Sequence, residues 1–176
     1  IPVSKSDYLC AHGYAEEQIV EKRLIKPGFN LYQMLHTKLS LQIKYLIDNG
    51  LLSDNGCTQK YPQQLAVLCY NIAIMYVRKN EKILERLAKR YRLGIVNQSY
   101  GNLPSMLVDF GLTPYFTDVI ESSAVNLDKP DLKIFRLSVD ALHLAPEETL
   151  CVSNSINNDL LPAKEIGCQT AWLNLR

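Results

Sequence analysis

The spacing of apolar residues divides the chain into two parts, with the change near residue 92. In the first part apolar residues recur every three or four positions, which is the period of an amphipathic helix. This spacing predicts helices over residues 15–25, 31–50, 61–77 and 80–91. The second of these is expected to end at Asn49 and Gly50, a pair that suits a helix C-terminus.

After residue 92, short apolar runs alternate with helical segments. Strands are predicted at 92–98, 116–122, 149–155 and 169–175, and helices at 102–112, 129–144 and 158–167. This alternation is typical of an α/β fold with a parallel, doubly wound sheet. Ligands of such sheets bind at the carboxyl ends of the strands. The polar residues to consider therefore lie at 4–6, 97–99, 121–123 and 153–155.

Composition excludes several classes of function. The chain has 176 residues, of which 47% are hydrophobic, and a net charge of +1, so no charge excess favours nucleic acid or a membrane surface. The lysines and arginines at 77–92 alternate with glutamates at helical spacing, which is typical of a solvated face. The most apolar stretch, 65–77, is shorter than a membrane span and predicts a buried helix.

The cysteine pattern predicts reduced thiols. The five cysteines show no C-x-x-C pair and no Cys/His ligand spacing; they are Cys10, Cys57, Cys69, Cys151 and Cys168. An odd number of unpaired cysteines is typical of an intracellular protein, and we expect a cytoplasmic location.

Four segments carry a family resemblance: LAKRYRLGIVNQSYGN, GLTPYFTDVIES, KPDLKIF and TLCVSNSINNDLLPAKEIGCQTAWLN. In this order and spacing they closely resemble the haloacid dehalogenase (HAD) superfamily, over residues 80–176. The resemblance implies a Rossmannoid parallel sheet core with a helical cap inserted after the first strand. We therefore expect a HAD-like core formed by residues 1–9 and 79–176, and a cap at 10–78.

The resemblance also places the first family motif near the start of the chain. In the family, the first strand ends in an Asp-x-Asp-Gly-Thr-Leu loop that holds an aspartyl nucleophile and an aspartyl acid/base. Here IPV is expected to end that strand, so Ser4 and Ser6 stand at the two aspartates and Asp7 at the glycine. Ile1 is not an initiator residue, so we expect residues before it, and these are the alternative place for the motif.

The remaining motifs are implied by the same resemblance. Asn97 stands where the second motif has Ser or Thr, and Lys129 matches the lysine of the third. In the fourth motif Asn154 replaces the first aspartate, whereas Asp159 keeps the second. The expected ligand pocket has no catalytic and no metal-binding residue; its members are Ser4, Ser6, Asp7, Asn97, Gln98, Lys129, Asn154 and Asp159.

These replacements decide the expected chemistry. Mg²⁺ selects anionic oxygens, usually from carboxylates, so the loss of three aspartates makes Mg²⁺ binding doubtful, and no other cofactor is expected. Lys129 and Asp159 are expected to form an ion pair. A serine nucleophile needs an adjacent base, but the three histidines (His12, His36 and His143) are scattered along the chain.

Two functional hypotheses follow. The first is a HAD-like pseudoenzyme that binds a phosphorylated or other anionic small molecule, or a protein partner or second copy through the apolar helices at 31–47 and 65–77. The alternative is a HAD-type hydrolase, a phosphatase or related enzyme, with residual or repurposed activity at the cap–core cleft. Dependence of turnover on Mg²⁺ distinguishes them.

Overall fold

A computed structural model describes residues 3–174 of the chain, which divides into two compact units, Ile1–Glu81 and Lys82–Arg176. The division lies close to the predicted boundary between 78 and 79. Residues 3–9 are grouped with the first unit, and the assignment of residues 1–9 to the core stays a prediction. That residues 10–78 form an inserted cap stays a prediction.

The first unit is helical. Helix α1 spans Lys5–Lys22 and packs against α2, which spans Leu31–Asp48. Their shared core contains Ala11, Ile43, Leu46 and Leu52. Helix α2 begins with a capping box, in which Asn30 and Gln33 each bind the other's backbone N–H at 3.0 Å. It ends as predicted, at Asn49, before Gly50 in the left-handed region.

Helix α1 begins ten residues earlier than its apolar spacing predicts, and this corrects the interpretation of residues 4–9 as a catalytic-type loop. The Ser4 hydroxyl oxygen accepts a hydrogen bond from the Asp7 N–H at 3.1 Å and so caps the helix, while Ser6 and Asp7 lie in its first turn. Ile1 and Pro2, most of the predicted first strand, lie outside the described residues. A Ser-x-x-Asp pattern is a helix-start signal, and here it determines the local structure.

Helix α3 spans Tyr61–Ala88 as one continuous helix where two were predicted. The polar stretch at 78–80 suggested a break, but it contains neither proline nor glycine, and its residues are tolerated inside a helix. No helix within residues 3–174 has the length and apolar character that crossing a membrane requires.

The second unit has the predicted alternation of strands and helices. Its elements are β1 (Gly94–Asn97), α4 (Leu103–Asp109), β2 (Asp118–Glu121), α5 (Ser122–Val125), α6 (Leu132–Ala141), β3 (Leu150–Ser153), a π-helical turn (Ile156–Leu160), α7 (Leu161–Glu165) and β4 (Gln169–Trp172). The short α5 was not predicted. The core packs α6 and α7 beneath the strands through buried residues that include Ile134, Phe135, Val139 and Ala163.

The four described strands pair as two separate parallel ladders instead of the single predicted sheet. In one, β1 pairs with β2, with Gly94 opposite Asp118. In the other, β3 pairs with β4, with Leu150 opposite Gln169. Within residues 3–174 no strand joins β1 to β3. The α/β class and the parallel pairing are confirmed, and among the described residues each of the four strands has a strand neighbour on one edge only.

Candidate active site

An ion pair between Lys129 and Asp159 lies at the carboxyl ends of the strands. Lys129 Nζ is 2.8 Å from Asp159 Oδ1 and donates a hydrogen bond to the Val96 carbonyl of β1, also at 2.8 Å. The two side chains are only 13% and 15% exposed. The lysine therefore has a defined position, between the end of β1 and the turn that follows β3, and the predicted pairing is found.

Asp159 is held from β3 as well. The Ser153 hydroxyl donates to Asp159 Oδ2 at 2.6 Å, and the Ser153 oxygen accepts from the Ser155 N–H at 3.0 Å. Asp159 lies in the π-helical turn, a rare geometry that is frequent at functional sites. That turn carries the carboxylate back toward the strand end, where Oδ2 accepts the Ser153 hydrogen bond and Oδ1 lies beside Lys129 Nζ as an ion pair without a hydrogen bond from the described residues.

The residues after β1 contact the segment that follows β2. The Asn97 carbonyl accepts a hydrogen bond from the Ser122 hydroxyl at 3.2 Å, and Gln98 Nε2 donates to Asp128 Oδ1 at 3.3 Å. Buried Glu121, at the end of β2, binds the loop that follows Gln98. Residues 121–123 are strand-end positions in the sequence, but no family motif contains Glu121, so the sequence does not single it out.

A cleft of about 810 Å³ lies in the second unit between the two ladders. Its lining includes Gly94 and Val96 of β1, Leu150 and Val152 of β3, and the Lys129–Asp159 pair. Leu150 and Val152 are more than half exposed, at 54% and 51%, although they are apolar strand residues.

Backbone directions show which edges of β1 and β3 face this cleft. The Leu93 carbonyl accepts from the Thr117 N–H on the β2 side at 2.8 Å, and the Ser153 carbonyl accepts from the Leu173 N–H on the β4 side at 2.9 Å. Backbone groups of successive strand residues point to alternate edges. The backbone groups of Val96 and Val152 therefore point to the opposite edges, which line the cleft.

The predicted pocket residues fall into two sets. Asn97, Gln98, Lys129, Asn154 and Asp159 lie at strand ends of the second unit, and of these Lys129 and Asp159 contact each other directly. Asn154 is exposed between β3 and the π-helical turn.

The other set, Ser4, Ser6 and Asp7, lies on the first turn of α1 in the first unit. Ser4 exchanges hydrogen bonds with Asp7 and has a capping role there. That these three residues line the same pocket as the strand-end set stays a prediction.

The described residues do not by themselves fit Mg²⁺. Within residues 3–174 no group of three His, Cys, Asp or Glu side chains is placed to hold a metal ion. The Asp159 carboxylate, the acid that the fourth motif supplies, is already bound to Lys129 and Ser153. Mg²⁺ favours carboxylate oxygens and retains several waters, so this pair would have to open before Asp159 became a ligand.

The electrostatics of the strand end also affect Cys151 of β3. Burial raises the pKa of the Cys151 thiol to about 11, and the negative charge of Asp159 contributes in the same direction. Burial also raises the pKa of the Cys168 thiol. Both cysteines are therefore thiols at neutral pH and are poor nucleophiles.

Comparison with known proteins gives the family. The model of the haloacid dehalogenase-like hydrolases matches residues 58–173. A glyceraldehyde 3-phosphate phosphatase from Methanocaldococcus jannaschii is 31% identical over 96 residues, which are 54% of this chain and 42% of that protein. A phosphoserine phosphatase from Thermus thermophilus is 34% identical over 68 residues, which are 39% of this chain and 27% of that protein. The chain thus spans less than half the length of either relative.

A solved structure supports the fold. A dehalogenase with an intermediate complex superposes with a TM-score of 0.59 over 97% of this chain and 72% of that one, at 19% identity. The family match covers well over half of the chain and includes every strand-end residue described above. This chain belongs to the haloacid dehalogenase-like hydrolase family.

Proposed function

We propose that this protein is a HAD-type hydrolase that acts on phosphate monoesters at the strand ends around Lys129. The observation that carries the proposal is the position of the Lys129 ammonium group, fixed by the Val96 carbonyl and Asp159 at the edge of the cleft. The names of the relatives, a glyceraldehyde 3-phosphate phosphatase and a phosphoserine phosphatase, support this class of substrate.

Lys129 suits the role of a phosphoryl anchor. A lysine ammonium group is a compact positive charge with three donors; one of them donates to the Val96 carbonyl, and Asp159 Oδ1 lies 2.8 Å away as an ion-pair partner. The ammonium group lines the cleft, where an oxygen of a phosphoryl group can accept a hydrogen bond from it. Preorganised positive charge of this kind stabilises the charge on a transferring phosphoryl group because no reorganisation is needed during reaction.

The nucleophile is the part of the site that residues 3–174 do not supply. The carboxylates of Asp159 and Glu121 at these strand ends are both engaged, and Ser4 caps a helix instead of ending a strand. The family resemblance implies an aspartate at the end of a strand. Such an aspartate is the group that the hydrolase proposal requires in addition to the described strand-end residues.

A second function, binding of a phosphorylated ligand without turnover, is favoured by one specific observation. Asn154 stands in place of an aspartate, and the remaining Asp159 is occupied by Lys129 and Ser153, which makes a poor Mg²⁺ site. Lys129 would then hold the anion while hydrolysis stays slow.

Turnover measurements distinguish the two functions. We would measure hydrolysis of p-nitrophenyl phosphate, glyceraldehyde 3-phosphate and phosphoserine, with Mg²⁺ or with EDTA, for the unchanged protein, Lys129→Met and the matched control Lys133→Met, since Lys133 is exposed. Mg²⁺-dependent turnover that Lys129→Met abolishes and Lys133→Met retains supports the hydrolase. Phosphate binding without turnover supports the second function, and neither turnover nor binding contradicts both.

A further inference from the structure

Glu121 is an acid with 4% exposure that binds three donors, two in the loop after β1 and one at the start of α4. Its Oε1 accepts hydrogen bonds from the Gly101 N–H at 2.9 Å, from the Leu103 N–H at 3.3 Å and from the Ser99 hydroxyl. An ionised carboxylate is costly to bury unless it is hydrogen-bonded. The three donors compensate that cost, so Glu121 and the loop stabilise each other.

The loop concerned, residues 98–102, connects the end of β1 to α4. It begins two residues after Val96, whose carbonyl holds Lys129. Two further contacts attach the same region to the segment after β2, namely those of Asn97 with Ser122 and of Gln98 with Asp128. These two hydrogen bonds are 3.2 and 3.3 Å long, and the second is exposed, whereas Glu121 is buried and binds three donors, one of them at 2.9 Å, which makes it the stronger attachment.

We propose that Glu121 is a positioning residue for the phosphate site: it holds the 98–102 loop so that Asn97 and Gln98 keep their place beside Lys129. The inference deepens the proposed function, because it rests on a phosphoryl group being bound at these strand ends. Glu121 acts through the loop and does not itself touch the ligand. Removal of its carboxylate leaves two backbone N–H groups and a hydroxyl without their acceptor, so the loop is released from β2.

Orthophosphate binding and amide exchange test the inference together. We would compare Glu121→Ala, Glu121→Gln and Ile166→Val by calorimetric titration with inorganic phosphate, by hydrogen exchange of the Gly101 and Leu103 amides, and by thermal unfolding. Glu121→Gln keeps an acceptor oxygen at the same place. Ile166→Val is a core control that lowers stability away from the loop. If Glu121→Ala does not fold, Glu121→Asp, which withdraws the carboxylate by one methylene, takes its place.

The expected result separates positioning from general destabilisation. Glu121→Ala should weaken phosphate binding about tenfold and speed exchange of both amides by a similar factor, which corresponds to the loss of a charge-assisted contact. Glu121→Gln should stay within about threefold, and Ile166→Val should bind phosphate as the unchanged protein does.

Two results overturn this inference and leave the proposed function intact. One is an unchanged phosphate affinity in Glu121→Ala despite faster amide exchange, and the other is a phosphate affinity that falls equally in Ile166→Val. If the unchanged protein itself does not bind phosphate, the proposed function fails and this inference fails with it.

Discussion

Lys129 Nζ and Asp159 Oδ1 lie 2.8 Å apart, although the two residues are separated by a helix, a strand and a turn. The contact joins the segment after β2 to the π-helical turn after β3, so it connects the two ladders at their carboxyl ends. Because both side chains are largely buried, the pair holds a positive charge in a defined place beside an open cleft.

Removing one partner of this pair should destabilise the protein more than removing both. Lys129→Met leaves the Asp159 carboxylate without its cation, and Asp159→Leu leaves the ammonium group without its anion, at about 2–3 kcal/mol each for a pair with some remaining exposure. Chemical denaturation of the two single variants and the double variant measures the coupling. A coupling free energy indistinguishable from zero would show that the contact contributes nothing to stability.

Ser4→Ala should affect stability and leave phosphate chemistry unchanged. Ser4 caps α1, and loss of a serine cap costs about 1 kcal/mol. The matched control is Ser6→Ala, an exposed first-turn position with an expected effect within about 0.5 kcal/mol. Urea denaturation measures both. Loss of phosphate binding or turnover in Ser4→Ala, with stability retained, would instead support the prediction that Ser4 lines the ligand pocket.

The fold was largely predictable, and the differences have physical causes. Alternating strands and helices after residue 92 were visible as changes in apolar period, and α2 carried its C-terminal signal at Asn49 and Gly50. The start of α1 was misplaced because its first two turns expose Tyr8 and Leu9, so they lack a clear apolar stripe. The division of the strands into two ladders depends on pairing between distant segments, which local patterns do not encode.

The site was predictable where it depends on motif residues and not where it depends on packing. Lys129 and Asp159 were identified as a pair from family spacing, and the structure brings them together. Their partners Val96 and Ser153 were not identified from the sequence. Val96 contributes only a backbone carbonyl, and Ser153 contributes a hydroxyl of a kind that is common at strand ends. Glu121 was missed because its partners lie in a loop whose conformation no short-range pattern specifies.

Alkylation should divide the cysteines by exposure. Cys10, Cys57 and Cys69 are exposed, whereas Cys168 is buried and Cys151 partly buried. A pKa raised from 9.0 to about 11 reduces the thiolate fraction of Cys151 at pH 8, so its labelling by iodoacetamide should be roughly 100-fold slower than that of an exposed thiol. Mass spectrometry of peptides over time measures each rate. Fast labelling of Cys151 would show that the strand end opens readily.

The same raised pKa gives a dependence of stability on pH. Because the Cys151 pKa is higher in the folded protein than in the unfolded chain, the folded state binds the proton more tightly. The contribution of the protonated Cys151 thiol to the free energy of unfolding is therefore complete below pH 9. It is lost as the pH rises from about 9 to about 11. Cys151→Ala should show a smaller fall over this range in denaturant titrations. Equal pH profiles for the unchanged protein and Cys151→Ala would contradict a raised pKa of Cys151 in the folded state.

The most direct test of the central claim is a titration of the protein with inorganic phosphate, followed by calorimetry and by the amide chemical shifts of Val96, Asn97 and Ser153. The account predicts saturable binding that shifts these strand-end amides, disappears in Lys129→Met and persists in Lys133→Met. Absence of binding by the unchanged protein, or equal binding by both lysine variants, would contradict the assignment of a phosphate site to the Lys129–Asp159 strand ends.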